Sequence, residues 1–466
     1  MARVVIIGAG LTGLSVAYHL EKKGFSDYLI VEKENEPGGL CRSIQQDGFT
    51  FDYSGHLLHS SDDYFKSFID SLFNEHELCK ITRKSFTYSH DVLTPYPYQV
   101  NLHGLPTEII VECIEGYINR KKSIRKPKSF QEWVLKYFGQ GIGKNFFFPY
   151  QSKIFRFDPK KLSPSWTGRF VPATSLREML SGALQPNTKE IGYNSSFLYP
   201  RSGGIQLLVQ KLVNTINNSV VTHCGADSID LSKKVISFSN GDSASFDLLI
   251  TTMPLDNLLS MIKDKSSTHL RKAADKLLCT SVACLNLGIK KDVNTDKHWV
   301  YYPEEKYPFY RLGSYHAFTP SMAPQGCSSL YVECSYRNKK ERTVRNLIDF
   351  CCKNVKSLFA ISDDDIVIKT VANLKHAYVV YDFWRDRNLE KLLQRLQAED
   401  IYSIGRYGAW KYSSMQEAIL EGKEIAEKIV VLPARTSRPS AKSHKEKRRY
   451  SNPPLILRAA KRCLEG

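Results

Sequence analysis

Val4-Val5-Ile6-Ile7-Gly8-Ala9-Gly10-Leu11-Thr12-Gly13 reads as a short β-branched strand running into three spaced glycines. Four apolar residues in a row suit a strand buried on both faces. Helical spacing follows through Leu14-Ser15-Val16-Ala17-Tyr18-His19-Leu20 and stops at Gly24, and Tyr28-Leu29-Ile30-Val31 is a second buried strand closed by Glu32. In this G-x-G-x-x-G each glycine has its own task. Gly8 permits the tight turn, Gly10 lets the backbone approach a pyrophosphate, and Gly13 allows the helix to pack closely on the strand. Free N–H groups at the helix start favour phosphate. Glu32, nineteen residues beyond Gly13, is placed to accept from ribose hydroxyls. Strand, glycines, helix, strand and acid in this order predict a dinucleotide-binding βαβ unit.

Outward from that unit, residues 57–190 read as mostly helical, broken by a Pro- and Tyr-rich stretch at 94–106. Strand signals return at Val220-Val221-Thr222, at 234–238 and at 247–252, with an Asn240-Gly241 turn between the last two. Residues 281–289, 329–334 and 366–371 read as strands around a helical segment near 340–358. A strand and Gly-rich loop follow at 399–410, and then an amphipathic helix at 416–431. The expected fold class is α/β, with a Rossmann-type domain assembled from residues 1–80, 191–280 and 396–431. A helical substrate domain at 81–190 and a sheet-based substrate domain at 281–395 fill the gaps.

Composition narrows the class. The 466 residues are 42% hydrophobic and 24% charged, ordinary globular values that exclude a wholly disordered chain, a collagen repeat or a membrane bundle. Residues 1–8 show no signal-peptide pattern, and no apolar run approaches the roughly 18–20 residues of a membrane span. Eleven cysteines without a CxxC pair fit neither a disulfide framework nor a zinc site. Reduced thiols in a soluble, cytoplasmic protein without a bound metal are expected. Of the net +17, +8 falls in residues 432–466, which hold ten Lys/Arg against Glu446 and Glu465. This basic tail reads as disordered and is a candidate contact to a membrane surface or a partner; no nucleic acid is expected. Gly139-Gln140-Gly141-Ile142-Gly143-Lys144 resembles a phosphate loop but lacks its spacing and the Ser/Thr after Lys.

After Glu32 come Pro37-Gly38-Gly39-Leu40 and Arg42. An acid followed by a Gly-Gly pair resembles the FAD-binding signature of glutathione-reductase-like flavoproteins, in their amine oxidase and protoporphyrinogen oxidase-like branch. The resemblance implies FAD held by Gly8, Gly10, Gly13, Glu32, Gly38, Gly39, Leu40 and Arg42. It also implies a late turn, Ile404-Gly405-Arg406-Tyr407-Gly408, returning to the flavin pyrophosphate with Arg406, Gly408 and Met415 nearby.

Four further stretches resemble the UDP-galactopyranose mutases. Phe51-Asp52-Tyr53-Ser54-Gly55-His56 is similar to their D-x-G-G-H segment, where the histidine sits against the flavin ring. Tyr96-Pro97-Tyr98-Gln99-Val100-Asn101 is similar to their uracil-binding segment, with Tyr98 to stack on the base and Gln99 to bond its edge. His298-Trp299-Val300-Tyr301, continued to Arg311, keeps a ten-residue spacing between a tyrosine at the sugar-nucleotide and an arginine on its diphosphate. Gly405-Arg406-Tyr407-Gly408-Ala409-Trp410-Lys411-Tyr412 places Tyr412 near that diphosphate. A bound nucleotide-sugar brings about two negative charges, for which the fork of arginine is the apt ligand.

The resemblance implies a mutase that interconverts UDP-galactopyranose and UDP-galactofuranose. Reduced FAD attacks the anomeric carbon through N5, with NAD(P)H as a candidate reductant. Catalytic roles fall to His56, Arg311 and Arg169, the last in a Trp166-Thr167-Gly168-Arg169 stretch one residue short of the family spacing. Substrate contacts fall to Tyr96, Tyr98, Gln99, Asn101, Tyr301, Tyr378 and Tyr412. Ser54, Phe318 and Gln416 stand where the family pattern has glycine, tyrosine and asparagine, and Tyr378 matches only loosely. Two other readings are a flavin oxidoreductase acting on an amine, a porphyrinogen or a polyene, and a non-catalytic flavin-fold binding protein.

Overall fold

The computed structural model describes residues 4–168, 170–186, 195–263, 268–337 and 341–431. Arg169 and the basic tail with its Cys463 lie outside the described residues. Val4–Ile7 is an inner strand of a four-stranded parallel sheet, ordered Ile401–Ser403, Leu248–Thr251, Val4–Ile7, Tyr28–Val31. Every residue of Val4–Ile7 and of Leu248–Thr251 is buried, because the sheet is covered on both faces. The register pairs Ile7 with Val31 and Thr251, and Thr251 with Ser403. Segments far apart in sequence therefore leave the sheet at one edge. The helix Leu11–Lys22 packs on the helix Met415–Val431, and Ser15 Oγ donates to Ile419 O at 2.7 Å.

A second sheet has seven strands, ordered Ile366–Val379, Cys279–Ile289, Ser328–Tyr336, Arg311–Ser314, Trp299–Tyr301, Ser85–Ser89, Val92–Pro95. Its last two strands correct the reading of 57–190 as mostly helical. Leu78–Thr82, Ser85–Ser89 and Val92–Pro95 are strands, and two of them extend the sheet built by residues 279–379. Short strands of mixed polarity next to long helices carry too little periodicity to stand out. Two smaller corrections follow the same cause. Val221 makes only a single bridge to Val31, and the strand starting at Ile366 runs on to Val379, taking Tyr378 into the sheet. The loop read after Ser403 contains a short helix, Gly405–Gly408.

An aromatic cluster that includes Tyr98, Phe130, Phe138, Phe146, Phe147 and Tyr150 joins the helical region to the second sheet. The ten described cysteines form no disulfide. Among the described residues no helix is long and apolar enough to cross a membrane, and no group of three or more His, Cys, Asp and Glu is arranged to hold a metal.

The glycines of the 139–143 run serve packing. A Cβ on Gly141 would stand 2.1 Å from Glu112 O and 2.6 Å from Cys113 Cα, in the helix Thr107–Ile118. That approach excludes any side chain. Gly141→Val is expected to lower stability by about 3 kcal/mol, at the upper end of the cost of overpacking a dense core, with thermal unfolding as the measurement.

Candidate active site

The edge where the parallel strands end is built to receive an anion. Gly10 heads the helix Leu11–Lys22 in extended conformation, without a side-chain cap, and no acidic residue lies in the first turn. The helix end thus keeps its N–H groups and positive dipole end for an outside ligand. Gly38 bridges Gly10, its N–H donates to Ala9 O at 2.9 Å, and a Cβ on Gly39 would reach within 3.4 Å of Gly10 Cα. A Cβ on Gly13 would stand 1.9 Å from Gly8 O, so helix and strand meet only because none is there. Glu32, 6% exposed, accepts from the N–H of Ala9 at 2.9 Å and of Glu34 at 3.1 Å. Those bonds aim the carboxylate and leave lone pairs for hydroxyl donors.

Arg42 Nε donates to Gly39 O at 3.1 Å, with its guanidinium 4.5 Å from the Tyr53 ring centroid, and Leu40 is half-buried against the aromatic cluster. The late turn does return here, since a Cβ on Gly405 would touch Thr12 Oγ1 at 2.9 Å. Gly408 O accepts from Ser403 Oγ at 2.8 Å. Met415 begins a helix whose N-terminus is closed internally, with Ser414 N donating to Glu417 and Glu417 N to Ser414 Oγ. The glycine cradle, the uncapped first helix and the aimed Glu32 fit the adenosine and pyrophosphate of a dinucleotide.

The second sheet carries the rest of the site as a row. Tyr301 pairs with Arg311, and Arg311 with Glu333, on three adjacent strands, so the three side chains share one face. The ten-residue spacing of Tyr301 and Arg311 is the register of one hairpin. Glu333 was not singled out from the sequence. It is fully buried, and it accepts from Arg311 Nε at 2.7 Å, from Arg311 Nη2 at 2.6 Å and from Ser54 Oγ at 2.5 Å. Burial pushes this carboxyl up, but the Arg311 charge and the hydrogen bonds from Arg311 and Ser54 outweigh it and hold it below the usual carboxylate range. A lone acid in the otherwise uncharged strand Ser328–Tyr336 was the signal available.

Ser54 ties the row to His56. Its carbonyl accepts from His56 Nδ1 at 3.0 Å, so the proton sits on Nδ1 and Nε2 is left as the acceptor. Burial, helped by the charges of Arg406 and Arg311, pulls the pKa of His56 down to about 4, so the ring is neutral near pH 7. The segment is anchored from behind by buried Asp52, which accepts from Tyr199 Oη at 2.6 Å, Ser43 Oγ at 2.7 Å and Ile205 N at 3.1 Å.

Tyrosines line the same cleft. Tyr96, Tyr301, Tyr378 and Tyr412 are half-buried, as are His56, Arg311 and Arg406. Tyr96 and Tyr301 have ring centroids 4.9 Å apart, and Tyr150 lies 5.4 Å from Tyr301. Burial pushes the Tyr378 hydroxyl up to about 12, so it stays a neutral donor. Arg406 donates to Ser413 O at 2.8 Å and Ala377 O at 3.1 Å and lies 4.6 Å from the Tyr412 ring. Its side chain packs among Tyr378, Tyr407 and Tyr412, and among the described residues no carboxylate pairs with it.

Three expected contacts are placed differently. Tyr98 is fully buried and stacked on Phe146, Gln99 donates to Pro172 O at 2.9 Å, and Asn101 donates to Pro97 O at 3.0 Å. The stacking role read for Tyr98 is therefore corrected: its ring belongs to the core. Phe318 is buried beside Tyr199, and Gln416 Oε1 accepts from the N–H of Ser61 and of Asp62. Arg169 lies outside the described residues. Arg83, which stands 5.4 Å from the Tyr96 ring, was also missed.

Comparison with known proteins agrees with this geometry. Residues 11–430 match the family described as flavin containing amine oxidoreductase. A solved structure of reduced UDP-galactopyranose mutase is 28% identical, with a TM-score of 0.86, covering 92% of this chain and 96% of that one. Protoporphyrinogen oxidase 2 of Arabidopsis thaliana is 25% identical over 272 residues, which are 51% of this chain and 50% of that protein. A Klebsiella pneumoniae protein named as a probable UDP-galactopyranose mutase is 23% identical over 171 residues, 35% of this chain and 43% of its own length. The match thus spans half or less of these two curated relatives.

Two outcomes test the site. Glu333→Ala leaves Arg311 buried without its counter-charge and is expected to cost about 3–5 kcal/mol. Glu333→Leu combined with Arg311→Met should cost less than the sum of the single changes, read by denaturant unfolding. For His56 the unfolded chain takes up a proton before the folded one does as pH falls. Its contribution to stability is complete above pH 6.5 and is lost as pH drops from 6.5 through 4. His56→Phe is expected to flatten that part of the stability profile, measured by thermal unfolding across the range.

Proposed function

The chain belongs to the family of flavin-containing amine oxidoreductases, and we propose that it is a FAD-dependent mutase interconverting UDP-galactopyranose and UDP-galactofuranose. The observation that carries this reading is the cleft where the Tyr301–Arg311–Glu333 row meets His56, Arg406 and Tyr412. Its walls are hydroxyls and guanidinium groups, which suit a polar anion. A polyene calls for predominantly apolar walls. The near full-length likeness to reduced UDP-galactopyranose mutase supports the same choice.

The residues divide the work. Arg406, unpaired with any carboxylate among the described residues, meets the diphosphate with a full positive charge. Arg311 is held by Glu333 through Nε and Nη2, so its fork is oriented before the ligand arrives and Nη1 remains to donate. Tyr96, Tyr301, Tyr378 and Tyr412 add hydroxyl donors without adding charge. Neutral His56 offers Nε2 as an acceptor toward the cofactor. Gly8, Gly10, Gly13, Gly38, Gly39 and Glu32 would hold FAD, which when reduced would supply a nucleophilic N5; NAD(P)H is the proposed reductant. The reaction leaves the redox state of the sugar unchanged. The chain supplies position and charge neutralisation rather than a nucleophile, and the buried Cys284 thiol is held protonated well above its ordinary pKa by desolvation.

The test is anaerobic reduction of the purified flavoprotein, addition of UDP-galactopyranose and chromatography for the furanose. Turnover by the reduced enzyme alone is expected. Inactivity of the reduced enzyme, with oxygen-dependent turnover of an amine, would replace this reading by an oxidase.

A further inference from the structure

Lys153 lies outside every role described so far. It is 6% exposed, on the helix Phe148–Phe155, and among the described residues it has no carboxylate in ion-pair contact. Its Nζ lies within hydrogen-bond distance of four backbone carbonyls that share its N–H donors: Tyr302 at 2.7 Å, Glu304 at 2.6 Å, Tyr307 at 2.9 Å and Phe309 at 3.2 Å. All four belong to the loop that joins Trp299–Tyr301 to Arg311–Ser314. Four carbonyls turned toward one interior point need hydrogen-bond donors, and the Lys153 amine supplies them although burial pulls its pKa down to about 7. The loop is therefore wrapped around the Lys153 amine, and its two ends are Tyr301 and Arg311.

The same helix grips the hairpin elsewhere. Tyr150, one turn before Lys153, places its ring 5.4 Å from Tyr301 and 6.4 Å from Tyr310. Arg156, one turn after it, donates from Nε to Ser335 O at 2.8 Å, on the strand that carries Glu333. The helix and its C-terminal cap residue thus touch the strand that ends at Tyr301 and the strand that carries Glu333.

We propose that Lys153 is a positioning residue for the cleft: its Nζ holds the 302–309 loop by hydrogen bonds and so sets where Tyr301 and Arg311 meet the ligand. The part of the proposal that concerns the ligand rests on the UDP-sugar reading; the part that concerns the hairpin does not.

The experiment compares FAD-loaded wild type, Lys153→Met and Lys153→Gln by two readouts, hydrogen–deuterium exchange at residues 299–313 and titration with UDP. Lys153→Met is expected to speed exchange in that hairpin while the remaining exchange pattern and the flavin absorption spectrum stay as in wild type, and to weaken UDP binding at least tenfold. Lys153→Gln, which keeps two N–H donors, should fall between the two proteins on both readouts, and it serves alone if Lys153→Met does not fold. Unchanged hairpin exchange would overturn the proposal, and so would faster exchange throughout the protein with loss of flavin, the mark of a merely structural lysine. Faster hairpin exchange with no UDP binding by wild type would sustain the positioning role and overturn the UDP-sugar reading.

Discussion

A carboxylate with no solvent exposure stands in the middle of the second sheet, and much of the cleft is arranged to satisfy it. Glu333 cannot be left charged in that position without partners, since an unpaired buried charge costs several kcal/mol. Arg311 answers with two N–H bonds and Ser54 with a third donor. Once these bonds exist, the guanidinium has one orientation, and the Ser54 carbonyl has one place, which sets the tautomer of His56. A single electrostatic obligation thus orients a strand residue and a loop residue more than two hundred positions away in sequence.

The pair also changes how positive charge is distributed in the cleft. Arg311 enters it already neutralised, whereas Arg406 donates to two carbonyls and packs on tyrosines, with no carboxylate partner among the described residues. The field on an incoming anion therefore comes mainly from Arg406, and Arg311 contributes direction. Tyrosines complete the lining, and burial keeps the hydroxyls of Tyr301 and Tyr378 protonated. A site of this kind stabilises negative charge by position and hydrogen bonding. Of the net +17, the +8 of residues 432–466 lies outside the described residues.

The departure at Ser54 illustrates how far a motif can be read. In the sequence it is a serine where the resembling family has glycine, and its meaning is open. In the structure its hydroxyl is a ligand of Glu333 and its carbonyl is a ligand of His56, so it joins the two halves of the site. Tyr98 shows the reverse. Its place in a Pro- and Tyr-rich segment suggested a stacking platform, yet it is enclosed by the aromatic cluster around Phe146. An aromatic side chain looks the same in sequence whether its face meets a ligand or another ring.

The glycine-rich stretch and Glu32 were legible because their chemistry is local, whereas the late Gly405 turn was read only through the family resemblance. A tight turn, an uncapped helix and a following acid declare themselves within about thirty residues. The ten-residue spacing of Tyr301 and Arg311 was legible for the same reason, as it is the register of one hairpin. What the chain order could not contain was the third member of that row. Glu333 is paired with Arg311 across strands, and neither the seven-strand order nor the burial of one acid follows from residues next to it. Nor could it show that Lys153 sits inside the 302–309 loop, since that depends on a helix docking from another part of the chain. By itself the sequence determined the cofactor cradle and the kind of groups available to a ligand. The tertiary structure decided which of them face it, because orientation in this cleft is set by buried charges whose partners lie on distant strands and helices.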